Sequence, residues 1–109
     1  MKVYIAGPMS GYADFNFPAF FHAQERWKDV GWDVVNPATY GADHEDAPSP
    51  WLEYMTRDIP VLIRCDAIAM LHDWQESRGA RIEYAIADLF GLRIFDAAHP
   101  TPPPPETHK

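Results

Sequence analysis

The stretch DAIAMLHDWQESRGARIEYAIADLFGLRIF, residues 66–95, decides the fold. It opens on a short apolar run, Asp66 to Leu71, too brief for a helix and apolar without alternation, as a strand buried on both faces should be. It closes on another such run, Leu92 to Phe95. Between them Ile82, Ala85, Ile86 and Leu89 recur at helical spacing, and Gly91 stands where that helix should end. Strand, helix and strand in so short a span make one crossover, which joins parallel strands and covers a sheet face.

The same alternation extends toward the start of the chain. Lys2 to Ala6 reads as a strand ended by Gly7-Pro8. From Pro18 to Val30 the spacing of Phe17, Phe20, Phe21, Gln24, Trp27 and Lys28 predicts a helix. Pro18 suits its first turn, Asn16 is a candidate cap, and Gly31 lies just past its end. Trp32 to Val35 is a short extended segment closed by Asn36-Pro37, and a loop with the acidic run Asp43-His44-Glu45-Asp46 follows. Ser49-Pro50 opens a second helix running toward Arg64, with Pro60 expected to kink or interrupt it. The order β-α-β-α-β-α-β predicts an α/β fold. We expect a single Rossmann-like or flavodoxin-like domain over residues 1–97, its mainly parallel four- or five-stranded sheet flanked by helices. Residues 98–109 read as an extended Pro-rich tail, expected to be disordered unless it covers a neighbouring subunit.

Bulk properties narrow the function classes. Nine Lys and Arg stand against sixteen Asp and Glu, a formal net charge of -7. That excess argues against duplex nucleic acid or an anionic membrane as partner, since both need a field of positive charge. It leaves room for a small anion, which a few local donors can hold. Cys65 is the single cysteine, so neither an intrachain disulfide nor a cysteine metal cluster is expected. The opening MKVYIAG is too short for a signal peptide, and no apolar run reaches membrane-spanning length, so a cytoplasmic location is the default. A domain this small gains from oligomerisation, which buries surface a monomer exposes.

Ligands of α/β folds gather beyond the strand C-termini. There the loop GPMSG (Gly7, Pro8, Met9, Ser10, Gly11) lacks both common phosphate fingerprints and reads as a tight turn that could wall a pocket. Tyr4, whose neighbours Val3 and Ile5 should point to the opposite sheet face, is either a packed aromatic or a functional hydroxyl. Asp58, with Glu53 and Arg57 nearby, is either solvated or part of a site. Asp66, opening a strand, either caps adjacent backbone or serves that site. Ser77 and Glu83 flank Gly79 and Ala80, whose small side chains let a ligand approach a helix N-terminus. Glu83 sits about one turn inside, facing solvent or the pocket. The five histidines, His22, His44, His72, His99 and His108, have no metal-ligand spacing, so neither metal nor cofactor is expected.

Taken in order, VYIAGPMSG, the NP after the second strand, YMTRDIPVLIRCDAIAML and SRGARIEYAIADLFG resemble the nucleoside 2-deoxyribosyltransferase superfamily, including its nucleotide N-glycosidase branch. The likeness spans about residues 2–96 and is nearest to a compact phage-associated group of that neighbourhood. It implies that Glu83 is a nucleophile toward the anomeric carbon and that Tyr4 positions it. It implies that Asp58 contacts sugar or assists proton transfer to the departing base. Ser77, six residues before the glutamate, matches the serine of the 5′-phosphate site in the hydrolase branch. The expected reaction is therefore hydrolysis of a (deoxy)nucleoside 5′-monophosphate to base and sugar phosphate, with Gly7, Pro8, Met9, Ser10, Ser77, Gly79, Asp66 and Trp74 as candidate substrate contacts. Deoxyribosyl transfer to a second base, or nucleotide binding without turnover, are the alternatives. The resemblance also implies at least a homodimer. Arg81 stands where many relatives have a small residue; it is open to pairing with phosphate, pairing with Glu83, or facing solvent.

Overall fold

Val3, Tyr4, Ile5 and Ala6 are each exposed by 1 % or less, so this run has no solvent side. That is the mark of a central parallel strand. In the computed structural model, which describes residues 1–41 and 46–105, these residues form β1 (Lys2–Ala6). Asp43, His44 and Glu45 of the acidic run, and His108 near the end of the tail, lie outside the described residues. β1 pairs with β2 (Asp33–Val35) on one side and β3 (Ala67–Met70) on the other, and β3 pairs with β4 (Arg93–Asp96). Every pairing is parallel and the order is β2-β1-β3-β4, a single α/β domain with a four-stranded sheet flanked by helices.

The helices are α1 (Phe17–Asp29), α2 (Pro50–Leu62) and α3 (Arg78–Leu89). Side-chain alternation along the strands separates two cores. Val3, Ile5, Ala67 and Ala69 meet Phe20, Ala23 and Trp27 of α1. Tyr4, Ala6, Ile68 and Met70 meet Leu62 of α2 and Ala80 and Ala87 of α3. Among the described residues, one face thus has two α-helices and the other has one.

The tail makes up the difference. Trp27 Nε1 donates to the Ala97 carbonyl at 3.0 Å and Trp32 Nε1 to the Thr101 carbonyl at 2.6 Å. Arg26 donates to the Ala98 carbonyl at 3.1 Å, and Pro103 lies against Gly31. For residues 98–105 the expectation of a disordered tail is corrected: buried indole N–H groups need acceptors, and an extended proline-rich segment offers carbonyls without competing donors, while the rest of the tail lies outside the described residues. Trp27, Trp32 and Phe95 pack as a tilted and edge-on aromatic trio beneath it, ring centroids 5.3 to 6.1 Å apart.

Other local expectations change as well. The inward stripe of α3 is Ala80, Glu83 and Ala87, whereas Ala85 is exposed and Leu89 is 82 % exposed. The helix lies close on the sheet where only small side chains fit, and the isoleucines are displaced to its flanks. Asn16 holds the cap position of α1 but makes no side-chain capping hydrogen bond; it has left-handed backbone (φ 61°) and its side chain donates to the Pro8 carbonyl at 2.9 Å. Ser49 holds the cap position of α2 without a side-chain hydrogen bond, and α2 runs through Pro60 to Leu62 rather than breaking there. No helix among the described residues is long and apolar enough to cross a membrane.

Candidate functional site

A cavity of about 380 Å³ opens at the C-terminal end of β1, on the α2–α3 side of the sheet. β1 leads to β2 on one side, and the chain then crosses back to β3 on the other, so this is the crevice where connections diverge. One wall is the loop Gly7, Pro8, Met9 and Ser10. A Cβ on Gly7 would stand 2.7 Å from the Leu71 Cβ, so only glycine lets the loop lie against the end of β3. The bond from Asn16 to the Pro8 carbonyl ties that loop to α1.

Tyr4 lies at the floor because strand alternation turns it toward α2 and α3. Its hydroxyl donates to Glu83 Oε2. Glu83 is there because it occupies the inward stripe of α3, at 5 % exposure, and Asp58 of α2 lines the same pocket at 5 %. Burial pushes the Glu83 carboxyl up to about 8; the hydrogen bond from Tyr4 pulls it down, the charge of Asp58 adds to the rise, and Arg57 opposes it. Burial, together with the Glu83 charge, raises the Tyr4 phenol well above its usual range. Two enclosed carboxyl groups in unlike surroundings can divide proton-carrying and charge-carrying roles between them.

The rim is built by α2 and the start of α3. Ser77 caps α3, its Oγ accepting the Ala80 N–H at 3.1 Å, and still lines the pocket. Arg78 stacks on Trp51 with its guanidinium carbon 4.0 Å from the ring centroid. Gly79 leaves the space that Met55 and Trp51 fill: a Cβ there would meet Met55 Cε at 3.1 Å. Among the described residues the buried Trp51 Nε1 has no hydrogen-bond partner.

Of the residues singled out in the sequence, Tyr4, Gly7, Pro8, Met9, Ser10, Asp58, Ser77, Gly79 and Glu83 all line this one pocket. Asp66 and Trp74 do not. Asp66 precedes β3, at the opposite end of the sheet, and accepts the Lys2 backbone N–H at 2.8 Å, which is its capping alternative. Trp74 stacks on Tyr84 at 4.7 Å and faces a neighbouring hollow together with His72 and Asp73, a pair 3.2 Å apart. Arg81 is exposed and absent from the pocket wall. Trp51, Tyr54 and Met55 were not foreseen as lining residues. Their spacing to Asp58 and the buried Leu62, three or four residues at each step, was the available signal. Among the described residues no group of three or more His, Cys, Asp or Glu could hold a metal ion.

A family model described as Domain of unknown function (DUF4406) matches residues 1–96, and the chain belongs to that family. No curated protein matches the chain.

Proposed function

We propose that this DUF4406 protein hydrolyses the N-glycosidic bond of a (deoxy)nucleoside 5′-monophosphate, with Glu83 as nucleophile. The observation that carries the reading is the hydrogen bond from the Tyr4 hydroxyl to the Glu83 carboxyl group, inside an enclosed pocket also lined by Asp58. The resemblance set out above supports the same roles for these three residues.

A carboxylate beside the sugar stabilises the positive charge that grows on C1′ as the bond to the base lengthens. Glu83 Oε then bonds to C1′ while the C1′–N pair leaves with the base, which takes up a proton. Water attacks the resulting ester and one of its protons passes to solvent. Glu83 departs as carboxylate and the sugar phosphate is free. Since only the ionised carboxyl attacks, and Glu83 is held up at about 8, the unbound protein at neutral pH keeps most of it protonated. Substrate binding has to release that proton, and the departing base is a natural acceptor. The loop Gly7 to Ser10, Ser77 and Gly79 would receive sugar and phosphate, and Arg78 at the rim suits an anion. No cofactor enters this reading; a cytoplasmic homodimer is part of it.

Incubation with a panel of deoxyribo- and ribonucleotides, with and without an acceptor base, tests the proposal. Free base and sugar phosphate are expected, and Glu83→Gln lowers their release by about 10³-fold or more. Exchanged nucleotide would instead mark transfer, and tight binding without products would mark a sensor. Turnover unchanged by Glu83→Gln removes the proposed nucleophile.

A further inference from the structure

Arg57 and Asp58 are adjacent in α2, so their Cα–Cβ directions diverge by about 100° around the helix. Their side chains nevertheless meet. Arg57 Nε donates to Asp58 Oδ1 at 2.7 Å and Nη2 to Oδ2 at 3.2 Å, the two-pronged arrangement in which guanidinium binds carboxylate most specifically. The guanidinium carbon lies 5.0 Å from the ring centroids of both Tyr40 and Tyr54, so two aromatic faces hold the fork in register. The carbonyls of Pro37 and Gly41 stand 3.5 Å from its outer nitrogens. Asp58 is buried on the pocket wall, while Arg57 reaches it from the partly exposed outer side.

We propose that Arg57 is a positioning residue that keeps Asp58 ionised and fixed, making Asp58 a permanent anionic acceptor for a ligand hydroxyl while the Tyr4–Glu83 pair carries the proton of the site. That the hydroxyl belongs to a nucleotide sugar rests on the proposed glycosidic function; the ionisation of Asp58 does not. Of the two roles the resemblance allows Asp58, sugar contact and proton transfer to the base, the fork selects the first.

Among the described residues, the ionisable groups that interact with Asp58 include Arg57 from α2, Tyr4 from β1 and Glu83 from α3, while Tyr54 of α2 and Tyr40, in the turn after β2, meet the guanidinium. Arg57 is the cation of that set whose fork on Asp58 is seen directly. Two buried carboxyl groups facing one guanidinium do not both ionise readily near neutrality. The direct fork goes to Asp58, and the opposite behaviour of Glu83, raised by burial and by the Asp58 charge, is what such a division requires.

The test is a pH titration by NMR of protein carrying ¹³C-labelled Asp and Glu carboxyl groups, without nucleotide. Arg57→Met is expected to raise the Asp58 midpoint by at least one pH unit, a tenfold change in proton affinity. Arg57→Lys, which keeps the charge and loses the fork, raises it by less. Asp58→Asn is expected to lower the Glu83 midpoint, because a negative charge is removed. If Asp58 were neutral in the wild type, Asp58→Asn would leave Glu83 where it was, and that result overturns the proposal, as does an Asp58 midpoint indifferent to Arg57→Met. Should Arg57→Met fail to fold, the Asp58→Asn result alone decides. These midpoints do not depend on turnover, so failure to release base from any nucleotide would remove the glycosidic function and leave them standing.

Discussion

The Tyr4 hydroxyl on the central strand donates to the Glu83 carboxylate on the last helix, 79 residues further along the chain. Both side chains are nearly fully enclosed, at 1 % and 5 % exposure. Among the described residues that carboxyl group has one neutral hydrogen-bond donor in place of water, and its ionised form, so lightly compensated, opposes folding. Such an enclosure reduces stability, and the reduction should be measurable.

Glu83 is held at about 8 in the folded chain against an ordinary value of 4.5. Between about pH 4.5 and 8 the native state therefore binds a proton that the unfolded state has released, and wild-type stability falls as pH rises through that window. Glu83→Gln, which cannot ionise, should flatten this dependence. Its stability relative to wild type is expected to rise between pH 5 and pH 8.5, by an amount on the order of a few kcal/mol. Melting temperatures of both proteins across the range check it.

Tyr4→Phe removes the donor while keeping the ring. Without that hydrogen bond the Glu83 carboxyl rises further, because the bond favours its charged form. Unfolding should cost about 1 kcal/mol less than in the wild type. Base release, where present, should fall about 10²-fold near neutrality and recover partly at higher pH. A pH–rate profile of the variant beside the wild type reads both effects.

Much of the architecture was legible because short apolar runs alternating with helical patterns leave few arrangements open, and β1 and β3 are buried over nearly their whole length. The inward side of α3 was not. Periodicity weighs hydrophobicity, so it selected Ile82, Ala85, Ile86 and Leu89, while contact with the sheet is governed by size and belongs to Ala80, Glu83 and Ala87. Glu83 and Tyr4 could each be named as candidates, but only the fold brings them together. Trp51, Tyr54 and Met55 looked like ordinary amphipathic helix residues, and the contact between Arg57 and Asp58 falls outside the three- and four-residue spacings by which helix pairs are recognised.

Substitutions on α3 make that difference measurable. Leu89→Ser, at a site 82 % exposed, should change stability by less than about 0.5 kcal/mol. Ala87→Leu should force the helix off the sheet and cost about 1–3 kcal/mol. Chemical denaturation of the two variants distinguishes a small-residue interface from the larger apolar face that the sequence suggests.

The two pocket glycines should respond differently to a methyl group. In Gly7→Ala the new carbon meets Leu71 Cβ at 2.7 Å, a clash no rotamer change relieves, and the loop should shift at a cost of about 1–3 kcal/mol. In Gly79→Ala it meets the flexible end of Met55 at 3.1 Å. That variant should fold with near-wild-type stability and bind ligand more weakly. Denaturation and nucleotide titration of the pair provide the comparison.

Deleting residues 99–109 should leave the Trp32 indole without its Thr101 acceptor and uncover Gly31. A loss of about 1–3 kcal/mol is expected, with tryptophan emission shifted to longer wavelength.

The strap from Ala97 to Pro103 also bears on how the molecule is made. The strap follows α1 and β1 in the chain, so during synthesis the surface holding Trp27 and Trp32 emerges well before the residues that cover it. On a stalled nascent chain exposing residues 1–96, the sheet could assemble while those indoles remained wet. That surface is therefore closed only when the later strap docks, and the two tryptophans report the moment it does.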